Sequence, residues 1–274
     1  MRELQQLLQL LKGAPALLVT VVRTEGSVPR EAGAWLAVCG DAVLGTIGGG
    51  QLEYQAIAEA RRLLATPPPW PAQIRRCPLG PSLGQCCGGV MHLRYERVDA
   101  TNMKAVGDRL AAAMAPLALF GGGHVGRAIV RLLADLPFAL RWIDSRDEVF
   151  PAALPPNVQC EHSDPVQRAV DDLAAGSAVL IMSFSHAEDL QIVAACLARQ
   201  RAKGDLPFVG LIGSRTKWAT FRHRLQARGF TDEDLNLVTC PIGLPAIKGK
   251  QPAVVALSVV AQLLTLGLGV SDGP

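Results

Sequence analysis

Along the second half of the chain, short apolar runs alternate with longer segments in which apolar residues recur every three or four positions. The runs Leu117–Phe120, Ala139–Ile143, Val158–Cys160, Ala178–Met182 and Phe208–Ile212 read as strands. Periodic segments at His124–Ala134, from Pro165 onward and at Glu188–Arg201 read as the helices between them. Strands that alternate with helices predict a parallel, doubly wound sheet with helices on both faces. The first half follows another plan. An amphipathic helix opens it, followed by a strand at Ala16–Arg23 and a hairpin of Trp35–Cys39 and Ala42–Gly45 around Gly40 and Asp41. A helix at Gln51–Leu64 stops at the prolines between Pro67 and Pro71, and strands are expected at Ile74–Cys77 and Val90–Arg97.

Between Leu117 and Asp144 the pattern carries chemistry. The run Leu117–Phe120 leads into Gly121, Gly123 and Gly126, the G-x-G-x-x-G spacing of a strand-to-helix turn, and the next apolar run ends in Asp144. In such a turn the first glycine permits the bend, the second lets a phosphate approach the backbone, and the third brings helix and strand together. The expected architecture is therefore α/β: a Rossmann-like doubly wound C-terminal domain at residues 116–274 and a smaller N-terminal α/β domain at residues 1–98. The polar, then alanine-rich segment 99–115 is expected to link them.

Composition narrows the function classes. With 274 residues, 49% of them hydrophobic, the chain is long enough for two modest cores. A net charge of +3 with scattered basic residues gives no nucleic-acid footprint, while phosphorylated small molecules remain compatible. Seven cysteines at irregular spacing fit free thiols in a reducing cytoplasm, and the opening residues lack the apolar core and cleavage site of a secretory signal. The run Ala253–Val270 is interrupted by Ser258, Gln262 and Thr265, so a core or subunit-packing helix is expected rather than a membrane span, with a homodimer as the corresponding assembly.

Other groups of residues are candidates for binding. Gly48, Gly49 and Gly50 precede a helix and form either a second anion-binding nest or a close backbone contact. Cys86 and Cys87 lie in a glycine-rich loop; their adjacency does not suit zinc, which leaves a reactive thiol or two small buried hydrophobes. His124 follows the Gly121 turn and either contacts a phosphate or packs the first helical turn. Arg146 either holds a second phosphate or pairs with a nearby acid. Asp189 reads as a first-turn helix acid or a catalytic one, and Lys217 and Arg222 as a solvated helix face. Hydride transfer would need a general acid beside the cofactor. There is no Tyr-x-x-x-Lys pair, and the two tyrosines, Tyr54 and Tyr95, lie in the first domain.

The blocks GSVPREAGA, GTIGGGQLE, CCGGV, LFGGGHVGRAI, WIDSR, GLIGSRTK and CPIGL, with KGKQPAVVALSVVAQLL after the last, together resemble the XdhC/CoxI family of accessory proteins for molybdenum hydroxylases, over nearly the whole chain. The resemblance implies binding of the molybdenum cofactor (molybdopterin), its retention while a cysteine desulfurase partner supplies sulfur, and delivery to the molybdenum subunit of xanthine dehydrogenase. It implies cofactor contacts at Gly48, Gly49, Gly50 and Glu53, at Cys86 and Cys87, either of which is a candidate to lie near the molybdenum, and at Gly121, Gly123, Gly126 and Asp144. NAD or another nucleotide is a further expected ligand, and an NAD(P)-dependent oxidoreductase is the alternative reading. Phe184 departs from the family pattern, in which a histidine is frequent.

Overall fold

The computed structural model describes residues 2–67, 69, 71–80, 88–112 and 114–268. The chain divides into two compact units, Met1–Ala113 and Met114–Val270.

The first unit is built on an antiparallel five-stranded sheet of β1 (Ala16–Glu25), β2 (Trp35–Cys39), β3 (Ala42–Gly45), β4 (Gln73–Pro78) and β5 (Val90–Val98), in the order β3-β2-β1-β5-β4. Helix α2 (Gly50–Ala65) covers one face, burying Leu52 and Ala56 with Leu17 and Val19. Helices α1 (Arg2–Leu10) and α3 (Met103–Ala112) cover the other, where Leu7 and Val106 meet Leu18 and Ala37. Neighbouring residues at the start of β1 thus enter opposite cores, which is why Ala16–Val19 is a continuous apolar run, while the second half of the strand, with Arg23 and Glu25, is polar and partly exposed. The segment expected as a linker, 99–115, contains α3, and the burial of Val106 and Leu110 attaches that helix to the first core.

In the second unit, six parallel strands form the sheet: β6 (Ala115–Phe120), β7 (Phe138–Asp144), β8 (Val158–His162), β9 (Ala178–Ile181), β10 (Phe208–Leu211) and β11 (Val238–Thr239). Their order, β8-β7-β6-β9-β10-β11, is that of a Rossmann fold, with the chain reversing direction across the sheet between β6 and β9. On one face lie α4 (His124–Leu133) and α8 (Pro252–Thr265), with Ile129 and Leu133 packed in the same core as Val259 and Leu263. The opposite face carries α5 (His186–Lys203) and α6 (Arg215–Gln226), followed by a short α7 (Asp232–Leu235). Among the described residues, no helix is long and apolar enough to cross a membrane.

The helix expected from Pro165 is only a 3-10 segment, Val166–Val170. Buried Arg199 explains its early end. Its Nη1 donates to the Val170 carbonyl at 2.6 Å and its Nη2 to that of Leu173 at 2.8 Å, while Asp205 balances the charge. Side-chain donors here replace the next helical turn.

Candidate functional site

The carboxyl ends of β6, β7 and β9 form the crevice where an open α/β sheet ordinarily takes its ligand. At its floor is the Gly121 turn. Gly121 has φ +123°, and a Cβ there would lie 2.0 Å from the Met182 carbonyl oxygen; a Cβ on Gly126 would lie 2.1 Å from the Gly121 oxygen. Packing therefore requires these two glycines. Gly123 is different, since the space beside its Cα is open and it starts α4 with no side-chain cap. The positive end of the α4 dipole is thus left without a side-chain cap, beside open space at Gly123. His124 stands exposed at the first position of that helix.

Asp144 does not present a free carboxylate. It is 2% exposed. Its Oδ1 accepts from the backbone N–H of Arg146 at 3.0 Å and from Arg146 Nε at 2.8 Å; its Oδ2 accepts from Gly122 N–H at 2.6 Å and Arg146 Nη2 at 2.9 Å. Four donors fill the positions a carboxylate offers, so a ribose diol has no acceptor here unless the Arg146 pair opens. Burial by itself would raise the Asp144 pKa, but the Arg146 and Gly122 donors outweigh it and hold the group below the usual carboxylate range. Its work is to anchor Arg146 and the glycine turn. Among the described residues, Arg146 Nη1 has no hydrogen-bond acceptor, and the side chain is 38% exposed.

Across the crevice, the loop after β9 comes to meet Arg146. Phe184, 66% exposed, lies under the guanidinium with 4.6 Å from Cζ to the ring centre. Glu188 Oε1 accepts from Ser145 Oγ at 2.6 Å. Among the described residues, no donor reaches buried Glu188 Oε2. Sequence reasoning missed Glu188 because Ser185-x-x-Glu188 has the form of a capping box. Only half of that box forms: the Ser185 side chain accepts from Glu188 N–H at 3.2 Å, while the Glu188 carboxylate turns to the neighbouring loop.

Further along the strand ends, Lys217 departs from the expected solvated position. Its Nζ lies 2.6 Å from Asp189 Oδ2 and 2.9 Å from the Ile212 carbonyl oxygen, with both side chains nearly buried. Asp189 also accepts from the backbone and hydroxyl of Ser183 at 2.8 and 2.7 Å. This pair ties the β9 loop to α6. Cys240 lies beside it, and burial pushes its thiol up to about 11. Arg222, by contrast, pairs with exposed Asp232 on the helix surface, as expected. The open pocket lined by Gly176, Gln200, Gly204 and Leu206 is at the amino ends of β9 and β10, away from all of these groups.

In the first unit, the Gly48–Gly50 turn is closed on itself. Glu53 Oε2 accepts from Thr46 Oγ1 at 2.5 Å, Ile47 N–H at 2.9 Å and Gly49 N–H at 3.1 Å, and Gly48 N–H donates to Thr46 Oγ1 at 3.1 Å. Burial favours the neutral acid, yet these donors lower the Glu53 pKa. A Cβ at Gly48 would lie 2.7 Å from Pro29, so close backbone packing is the reading realised at that glycine. The anion in this nest is the chain's own carboxylate. Cys86 and Cys87 lie outside the described residues.

Comparison with known proteins bears on the whole chain. The family described as the XdhC Rossmann domain matches residues 117–263, and the XdhC and CoxI family matches residues 10–69. The chain belongs to the XdhC/CoxI family. Among curated family relatives, Escherichia coli (strain K12) uncharacterized protein YqeB is 27% identical over 255 residues, covering 92% of this chain. The matched chain spans 44% of that relative's length. A crystal structure described as a xanthine dehydrogenase (BH1974) from Bacillus halodurans aligns over 99% of this chain and 97% of its own, with a TM-score of 0.75 and 20% identity. That likeness concerns the fold.

Proposed function

We propose that this chain is an accessory protein of a xanthine dehydrogenase-type molybdenum hydroxylase, which binds the molybdenum cofactor, retains it for sulfuration by a cysteine desulfurase and delivers it to the apo-enzyme. Family membership supports the accessory role. The observation that carries the binding reading is the saturated Asp144 carboxylate: it withdraws the usual ribose acceptor and presents Arg146, an oxyanion ligand, in its place.

The residues present fit a phosphorylated, flat cofactor. Open space at Gly123 and the uncapped start of α4 suit a phosphate, Arg146 supplies further donors, and Phe184 offers a ring face. Bound there, the cofactor would supply the molybdenum–sulfur chemistry, while this chain's residues bind and orient. The alternative of an NAD(P)-dependent oxidoreductase is disfavoured by the same carboxylate, because an NAD ribose would have to break the Asp144–Arg146 pair.

The test is to purify the protein from cells that make the cofactor, oxidise the material it releases and measure pterin fluorescence. Pterin without NAD is the expected result. Bound NAD with no pterin would overturn the proposal.

A further inference from the structure

We infer that Lys217 and Asp189 are positioning residues for the crevice: their buried ion pair fixes the loop after β9, and through it the placement of Phe184 against Arg146. The inference rests on the reading above, that a phosphorylated cofactor is held over the carboxyl ends of the strands, and adds what keeps one wall of that crevice in place.

The residues flanking Phe184 are tied to the first turn of α5. Asp189 Oδ1 accepts from the backbone N–H of Ser183 at 2.8 Å and from its Oγ at 2.7 Å. On the other side, the Ser185 carbonyl oxygen accepts from Asp189 N–H at 3.0 Å and the Ser185 hydroxyl from Glu188 N–H at 3.2 Å. Both neighbours of Phe184 are thereby held, while its own ring stays 66% exposed with Arg146 Cζ 4.6 Å from its centre. Asp189 is 2% exposed, so its charge needs a partner inside the protein. Lys217 is that partner. It reaches over from α6 with Nζ 2.6 Å from Asp189 Oδ2 and 2.9 Å from the Ile212 carbonyl oxygen.

A second buried pair on α5 shows what a purely structural pair does. Arg199, near the other end of the helix, pairs with Asp205 just before β10 and donates to the carbonyls of Val170 and Leu173. It closes main-chain acceptors that the short 3-10 segment leaves open, which is a need of the fold itself. The two pairs are alike in burial, with side chains 4% and 18% exposed at Arg199 and Asp205 and 10% and 3% at Lys217 and Asp189. Removing one partner from either leaves a buried charge and destabilises the protein. Of the two, the Lys217 pair is the one whose carboxylate holds a loop at the carboxyl ends of the strands, so its loss also releases that loop.

The experiment compares Lys217→Met with Arg199→Met in the full chain, purified from cells that make the cofactor. Pterin fluorescence per chain reads binding, and the Ser183 amide resonance of the isotope-labelled protein reads the loop. Both variants should melt below the parent. Lys217→Met should retain about tenfold less pterin, the effect on an affinity of one lost hydrogen bond to a charged group, and should displace the Ser183 amide resonance. Arg199→Met should leave retention and resonance as in the parent. Lys217→Arg, which keeps a charged donor for Asp189, should regain pterin relative to Lys217→Met. If Lys217→Met does not fold, Lys217→Gln carries the same two expectations, because it keeps a donor and loses the charge. Parental retention or an unmoved Ser183 resonance in the uncharged variant that folds, or equal pterin losses in Lys217→Met and Arg199→Met, would overturn the inference. A parent that carries no pterin removes the cofactor reading and leaves the Ser183 resonance to decide the positioning role, so the two fail separately.

Discussion

The two glycine turns look alike along the chain and end differently. Thr46–Gly50 and Gly121–Gly123 both follow a strand region and both open a helix. In the first, a carboxylate from the same helix, Glu53, folds back onto the N–H groups of Ile47 and Gly49. In the second, the carboxylate comes from the next strand: Asp144 takes only the Gly122 N–H and directs its remaining capacity to Arg146, leaving the start of α4 uncapped. An anion nest is thus closed when an acid sits four residues downstream on its own helix. It stays open when the acid is supplied from a neighbouring strand end.

Replacing Gly121 should have the largest effect. Gly121→Ala places a Cβ on the Met182 carbonyl at a positive φ, and a loss of more than about 3 kcal/mol in denaturant unfolding is expected, whether or not a ligand is present. Gly123→Ala sets the contrast: its Cβ meets nothing within 4 Å, so stability should change by less than about 1 kcal/mol while cofactor retention falls. Equal stability losses in the two variants would erase the distinction between packing glycine and binding glycine.

Asp144→Ala should cost about 2 kcal/mol, because Gly122 N–H and Arg146 lose their shared acceptor. Glu53→Ala should cost about 1 kcal/mol in unfolding, since its site is only half-buried, and should convert the closed nest into an open one. The variant's melting temperature should then rise with added sulfate by more than the parent's, which responds only through general exclusion and the open site at Gly123 and Arg146. Equal sulfate responses in variant and parent would show that Glu53 does not close the nest.

Acid sharpens the same comparison with a smaller effect. Both carboxylates have pKa values lowered by folding. Their stabilising contribution is therefore fully present above the unfolded values, about 4, and is lost as pH falls through the lower folded values. Between about pH 5 and pH 2 the parent should lose stability more steeply than Asp144→Asn or Glu53→Gln. Parallel pH profiles in parent and variants would count against the ionised hydrogen-bonded state of these acids.

Much of the fold was legible because it depends on near neighbours. The apolar runs of β6, β7, β9 and β10 and the glycine spacing after Phe120 identify the doubly wound unit without any long-range information. The 3-10 segment at Val166–Val170 was not legible, since Val166, Ala169, Val170 and Leu173 keep a helical spacing. What ends it is an arginine 29 residues beyond Val170. Lys217 was misplaced for a related reason: on α6 it has the surroundings of a surface residue, and only the meeting of α6 with Asp189 removes it from water.

The sequence by itself determined the element order, the glycine turn and the acid that follows it, because periodicity, turn chemistry and strand ends act over a few residues. The tertiary structure decided what each charged group serves. Placing β6 between β7 and β9 brings Ser145 to Glu188 across 43 residues of chain and Arg146 over Phe184, while α6 delivers Lys217 to Asp189 across 28. Hydrogen-bond partners are set by distance in space, and in a parallel sheet the strand ends that become neighbours are chosen by strand order rather than by separation along the chain.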